Sequence, residues 1–305
     1  MIQTVALTGA TGFIGSHIVE KLLLSGFHVR ALTRSPPAAG QRNGLTWVRG
    51  SLEDESALNE LVYGAQVVVH CAGHVRGKNL LTFTQANVEG SLRLLNAAEN
   101  SLSCKRYLFI SSLAARHPEL SWYAQSKVAA EQQLIENASS VSIGIFRPTA
   151  VYGPRDKELQ PVFTWLLRGL LPQTGSSATQ LSFLHVYDFA EAVAKWITAD
   201  VHNETPYELC DGRPSGYRWS DLQEIGESIR HKPVKVLKIP LPLLKSIAML
   251  STQASRLTGK EPMLTQSKIG ELTHIDWSAT NVMITSNIGW TPTIQLERAL
   301  RDGLF

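Results

Sequence analysis

The chain has 305 residues, 44% hydrophobic and 18% charged, with a formal net charge of +3. That length suits one large domain or two lobes sharing a site, and the composition excludes a disordered chain. The small charge, with no basic run, argues against a nucleic-acid partner and fits an anionic ligand or a weak membrane preference.

In chain order, short apolar runs alternate with helical patterns through the first half. Strands are expected at Ile2–Thr8, Val29–Thr33, Thr46–Arg49, Val67–Cys71, Tyr107–Ser111 and Ser142–Arg147. Helices are expected at Phe13–Ser25, Glu53–Val62, about Leu80–Asn100 and Trp122–Asn137. Such alternation predicts parallel βαβ units in an α/β fold. Near-continuous apolar strands suit a sheet covered on both faces. The expected fold is a doubly wound parallel Rossmann sheet with its ligand at the C-terminal strand ends. After Pro148 the pattern loosens into short helices (157–169, 188–199, 219–230) and strands near 206–210 and 234–238. This predicts a small mixed α/β substrate lobe of residues 153–179 and 204–305, interleaved with a dinucleotide-binding domain of residues 1–152 and 180–203.

The first strand runs into Thr8-Gly-Ala-Thr-Gly-Phe-Ile-Gly15. Gly9 would permit a tight turn, Gly12 a close approach of backbone to pyrophosphate, and Gly15 close packing of helix on strand. The helix from Phe13 would point its N–H groups at the phosphates. Thr11, Phe13 and Ile14 complete this cradle. The second strand ends Ala31-Leu32-Thr33-Arg34, with no acid for the ribose hydroxyls. Arg34 can accommodate a 2′-phosphate, so NADP is favoured over NAD.

Tyr123-Ala-Gln-Ser-Lys127 follows Ser111-Ser112. Tyr123 and Lys127 are one helical turn apart and share a face. A neighbouring ammonium should favour the phenolate and lower the Tyr123 pKa, equipping it as general acid toward a ketone or base toward an alcohol. A serine at the end of the fifth strand can donate to the substrate oxygen, and alternation alone leaves Ser111 and Ser112 both open. Cys71, Cys104 and Cys210 share no metal-ligand spacing and read as reduced thiols of a cytoplasmic protein. No metal site is expected. His185, Asp188, His70 and His74 read as structural. No apolar stretch approaches the ~20 residues of a spanning helix. Leu243, Leu244, Ile247, Leu250, Ala254 and Leu257 form an apolar stripe with Lys245 and Arg256 off it. The stripe predicts a core-facing helix, or else an apolar wall or membrane-facing lid.

These motifs resemble the extended branch of the short-chain dehydrogenase/reductase superfamily over nearly the whole chain. The resemblance implies catalysis by Ser112, Tyr123 and Lys127, with Ser112 as the second serine of the pair. It places His70-Cys-Ala-Gly73 under the cofactor, hence Cys71, Ala72 and Gly73, and Asn87-Val-Glu-Gly90 on the central helix. Arg147-Pro-Thr-Ala-Val-Tyr-Gly-Pro154 would lie beside the nicotinamide, hence Pro148 and Val151. Phe183–Ala190 and Gly289-Trp-Thr-Pro292 match later signatures of the branch. Ser51 and Leu52 stand where the branch often has Asp-Leu contacting adenine. Leu181 and Ser182 replace the Arg-Asp pair with which nucleotide-sugar enzymes reach substrate phosphates, and Leu113 and Ala114 replace the dehydratase acid pair. The short Ser112-to-Tyr123 interval resembles bacterial relatives of the dehydrogenase-like accessory subunit of respiratory complex I. Some of these reduce ketones on lipid substrates such as keto-ceramides. The implied activity is ketone reduction or alcohol oxidation on a bulky, apolar small molecule. The alternatives are a nucleotide-sugar epimerase and a non-catalytic cofactor-binding assembly subunit. Branch members often form homodimers.

Overall fold

A computed structural model describes residues 3–36, 42–201, 205–258 and 265–305, without the side chains at 254 and 256–258. Ile2, the expected boundary at 203 and 204 and the side chains of Ala254, Arg256 and Leu257 lie outside the described residues. The strands are β1 (Thr4–Thr8), β2 (His28–Thr33), β3 (Leu45–Arg49), β4 (Val67–His70), β5 (Arg106–Ile110), β6 (Ser142–Pro148), β7 (Ala150–Tyr152), β8 (Leu170–Thr174), β9 (Phe183–His185), β10 (Tyr207–Leu209) and β11 (Lys235–Ile239). The helices are α1 (Phe13–Leu24), α2 (Glu55–Val62), α3 (Leu80–Phe83), α4 (Gly90–Glu99), α5 (Trp122–Asn137), α6 (Gln160–Arg168), α7 (Val186–Thr198), α8 (Trp219–Arg230), α9 (Leu241–Thr258), α10 (Gln266–Thr273), α11 (Val282–Ile288) and α12 (Leu296–Arg301).

Seven strands form one sheet in the order β10-β6-β5-β4-β1-β2-β3. Every neighbouring pair is parallel. The order reverses between β4 and β1, the switch point where open α/β sheets bind ligands. The central strands explain their own burial. Val67, Val68 and Val69 of β4 are all fully buried, because successive side chains point to opposite faces and both faces are covered. One face packs against α1 and α7 through Ile18, Leu22, Phe189 and Trp196. The other packs against α2, α4 and α5 through Leu58, Leu94 and Leu134.

Two details depart from the sequence pattern. The helix expected over 80–100 is three pieces: α3, a π-helical turn at Thr84–Glu89, and α4. The widened turn contains Asn87, and such turns collect at functional positions. The stretch 204–305 also contributes to the large sheet. Three-residue β10 pairs with β6, and Ile284 and Trp290 bury themselves in the α1/α7 layer. The remainder builds a smaller lobe around Phe163, Leu166, Tyr217 and Leu222, with β8 paired to β11 and β7 to β9.

Helix α9 divides the described part of the predicted stripe, burying Leu244 and exposing Leu243, Ile247 and Leu250. Leu244, Ala248 and Ser255 are its buried residues, while Leu243, Ile247 and Leu250 are exposed at 51%, 44% and 61%. Ala248 and Ser255 let the side that carries Leu244 pack closely, and Leu243, Ile247 and Leu250 fall on the open flank.

Candidate active site

The phosphate loop is built by close backbone contact. Gly9 has φ +76°, and a Cβ there would lie 2.7 Å from the Ala72 nitrogen. The end of β1 therefore abuts the segment after β4. A Cβ at Gly15 would fall 2.0 Å from the Gly9 oxygen, so α1 can pack here only with glycine. Gly12 N–H donates to Gly9 O at 3.0 Å, while Thr11 and Gly12 are exposed and Phe13 and Ile14 partly so. No side chain caps α1, and no acid lies in its first turn. The positive end of the helix dipole is left open to an anion.

A buried polar relay fixes the next segment. Thr8 Oγ1 lies 2.6 Å from His70 Nδ1 and accepts from the Ala72 N–H at 3.2 Å. His70 Nε2 lies 2.9 Å from Ser91 Oγ, which donates to the Asn87 carbonyl at 2.6 Å. Burial pulls the His70 pKa down to about 3, assisted by the charge of Lys127, so the imidazole works as a neutral connector. Asn87 Oδ1 accepts from His74 N–H at 2.7 Å, and Nδ2 donates to His74 O at 3.0 Å and Ser126 Oγ at 2.9 Å. Its side chain thereby clamps the loop holding Cys71, Ala72 and Gly73 to α5. Gly73 faces this group: a Cβ there would be 3.0 Å from Asn87 Oδ1 and 3.5 Å from Lys127 Nζ.

Ser121 caps α5 by accepting from Ala124 N–H at 2.9 Å. One turn in, Tyr123 and Lys127 share a face. Lys127 is buried, donates from Nζ to Ile110 O at 2.8 Å, and stands 4.7 Å above the Phe109 ring and 6.0 Å from the Tyr123 ring. Burial draws its pKa down to about 8, opposed by Cys71 and Glu131. The Cys71 thiol is pushed up to about 11 by burial.

The two serines part company. Ser111 donates to buried Glu131, which also accepts from Arg147 Nε at 2.9 Å. Ser112 accepts from Ala114 N–H at 3.2 Å and is the hydrogen-bonding partner of the Tyr123 phenol. The Tyr123 pKa is nevertheless raised, not lowered as expected. Burial is the largest cause, and the Ser112 hydrogen bond offsets only part of it. The ammonium donates to the Ile110 carbonyl and stands 6.0 Å from the Tyr123 ring centroid, and it is not among the groups that shift the phenol.

The remaining predicted residues lie around this centre. Arg34 is exposed at the end of β2, and Ser51 and Leu52 follow adjacent β3, where Gly50 N–H donates to Thr33 O at 2.9 Å. Ser51 Oγ accepts from Glu53 N–H. The half-buried Leu52 side chain packs toward Gly90 and against the core beneath. Pro148 is buried at the end of β6 and Val151 pairs with Leu184 in β9. The neighbouring Thr149 hydroxyl is buried without a partner among the described residues.

Several participants carry no sequence signal. Helix α10 roofs the N-terminal end of α5. Ser267 Oγ accepts from Trp122 N–H at 2.8 Å, Glu271 accepts from Ser121 Oγ, and a Cβ at Gly270 would lie 2.3 Å from Leu120 O. Tyr123 opens onto a narrow cleft lined by Val75, Gly77, Phe83, Ser121, Ser267 and Glu271. Its cations are matched: Arg76 pairs with Glu158, and Lys268 faces Glu271. Leu181 exchanges two backbone hydrogen bonds with Tyr217, at 2.7 and 2.6 Å, and Ser182 is buried. Among the described residues no three His, Cys, Asp or Glu side chains could hold a metal.

The model of the NAD dependent epimerase/dehydratase family matches residues 5–210. The chain is 31% identical over 305 residues to a ceramide reductase of Caulobacter vibrioides, covering 97% of this chain and 94% of that protein. It is 32% identical over 331 residues to a UDP-glucose 4-epimerase of Vibrio cholerae, covering 99% and 94%. The fold is similar to that of a UDP-glucuronic acid 4-epimerase from Bacillus cereus solved with UDP-glucuronic acid and NAD. There the TM-score is 0.73, at 19% identity over 98% of this chain and 96% of that one.

Proposed function

Because the chain belongs to the NAD dependent epimerase/dehydratase family, we propose that it is an NAD(P)-dependent oxidoreductase acting on a ketone, or the corresponding alcohol, of a bulky apolar substrate. The observation that carries this reading is the convergence of Ser112, Tyr123 and Lys127 beside an uncapped glycine loop, facing a cleft without surplus positive charge. The residues suit a dinucleotide. Gly9, Thr11, Gly12, Phe13, Ile14 and Gly15 would cradle the diphosphate, Arg34 and Ser51 would meet the adenosine end, and Cys71, Ala72, Gly73, Pro148 and Val151 would flank the nicotinamide. That group, when bound, supplies or accepts the hydride.

The protein's own part is proton transfer and orientation. Tyr123, held neutral by burial, keeps its proton at the phenol oxygen until a carbonyl needs it. Ser112 would donate to the same carbonyl oxygen and polarise it. Lys127 is charged below a pH of about 8; a ligand that draws Nζ from the Ile110 carbonyl would bring its field to bear on the phenolate as it forms. The ceramide reductase likeness supports a lipid-like substrate. Exposed Arg34 in place of an acid supports NADPH over NADH. A nucleotide-sugar epimerase is the second reading, favoured by the likeness to the Vibrio cholerae enzyme. It needs the same trio but would bring a diphosphate to Leu181 and Ser182, which offer it no cation.

The test is NADPH oxidation with long-chain and polycyclic ketones, alongside binding of UDP-sugars. Ketone-dependent oxidation is expected, and Tyr123→Phe should lower it ~10²–10⁴-fold with cofactor affinity intact. Epimerisation of a UDP-sugar would replace this reading with the second. Unchanged turnover in Tyr123→Phe would remove Tyr123 from the chemistry.

A further inference from the structure

Helix α9 presents two separate faces. Leu244, Ala248 and Ser255 are buried against the body of the lobe. Leu243, Ile247 and Leu250 follow at i, i+4 and i+7 on a second face and are 44–61% exposed. Leu237 on the preceding strand β11 and Leu241 in the first turn of α9 are exposed as well, at 39% and 44%. Contiguous exposed apolar side chains on one element call for a partner.

The charge around this surface narrows the choice. Residues 228–260 contain no Asp or Glu, and they hold Arg230, Lys232, Lys235, Lys238, Lys245, Arg256 and Lys260. Lys232, Lys235, Lys238 and Lys245 are exposed. A second copy docked face to face would bring two such acid-free surfaces together, an arrangement opposed by like charge. A surface that is apolar inside and anionic at its boundary would suit both features at once.

We propose that β11 and α9 form a peripheral docking surface for an anionic lipid bilayer. Leu243, Ile247 and Leu250 enter the acyl boundary, and the lysines extend their stems across it and hold their ammonium groups among anionic headgroups. Helix α9 packs against α10, and α10 supplies Ser267 and Glu271 to the cleft at Tyr123. Docking would therefore couple the lipid phase to the roof of the cleft. The inference does not rest on the ketone-reductase reading. Vesicle binding is read without cofactor or substrate, and Tyr123→Phe should leave it unchanged.

The test is co-sedimentation of the full chain with vesicles of phosphatidylcholine alone and of phosphatidylcholine mixed with phosphatidylglycerol. Binding is expected only to the mixed vesicles and should weaken with salt. Lys238→Glu with Lys245→Glu should lower the partition coefficient at least about ten-fold, on the scale of two basic residues at an anionic surface. Ile247→Ser with Leu250→Ser should also release the protein while its circular dichroism stays that of the wild type. The proposal is overturned by equal binding to neutral vesicles, by no binding, or by binding that neither double variant weakens. A dimer in light scattering that Leu250→Asp dissociates would overturn it too, assigning the face to a second copy.

Discussion

Helices α5 and α9 are similar in length, and each inverts the usual rule of burial in its own direction. Helix α5 buries a lysine and a glutamate, with Lys127 5% and Glu131 2% exposed. Helix α9 exposes leucines and an isoleucine. A buried charge or an exposed apolar cluster is the informative exception on a globular protein. The α5 charges are each held: Lys127 by the Ile110 carbonyl, Glu131 by Ser111 and Arg147. That network fixes this face of α5 to the sheet. On α9, Leu243, Ile247 and Leu250 stay exposed instead. The charged face of α5 is over-determined, and the apolar face of α9 is left open.

The comparison breaks most readily at Glu131. If its network fixes the catalytic face, Arg147→Ala should cost about 3–5 kcal/mol in urea unfolding, because it strands a buried carboxylate. A cost of only a few tenths would show that water reaches Glu131 and that the rigidity lies elsewhere.

Cofactor selectivity gives the next effect. Arg34→Ala should narrow the gap between NADPH and NADH affinities by roughly 1.5–3 kcal/mol, the scale of hydrogen bonds to a charged group. Equal affinities in the wild type would assign Arg34 to solvent.

The pH profile of kcat/KM sharpens the role of Lys127. Burial lowers its free-enzyme pKa to about 8, so the charged form is lost as pH rises through that value. Ketone reduction should therefore fall on the alkaline side, about ten-fold per pH unit, through a group that Lys127→Arg shifts upward. A profile unchanged in Lys127→Arg would give the limb to another group.

The smallest effect belongs to α9. Leu250→Ala should alter unfolding free energy by no more than about 0.5 kcal/mol, as exposed substitutions do. A loss several times larger would mean that Leu250 is covered in solution.

Some of this was legible in the residues. The alternating strands and helices, the glycine loop and the Tyr-x-x-x-Lys turn depend on neighbours within a few positions, and the structure carries them at nearly the expected places. Position Ser112 was chosen by resemblance, because alternation says that two adjacent serines face opposite ways without saying which way is inward. Pairing of Ser111 with Glu131 supplies the physical answer. The stripe on α9 leaves its two alternatives open for a related reason. Periodicity finds an apolar face, but only the packing surface decides whether that face or a neighbouring one of small residues is buried.

Local sequence determined the parallel α/β layers and the pairing of a glycine loop with the helix after it, since backbone geometry and helical spacing are properties of short segments. The tertiary structure alone decided that Asn87 clamps the His74 loop to α5, that α10 roofs Tyr123, and that burial holds the phenol neutral while the ammonium turns to Ile110. Those outcomes depend on desolvation and on contacts between segments far apart in the chain, and no local pattern encodes either.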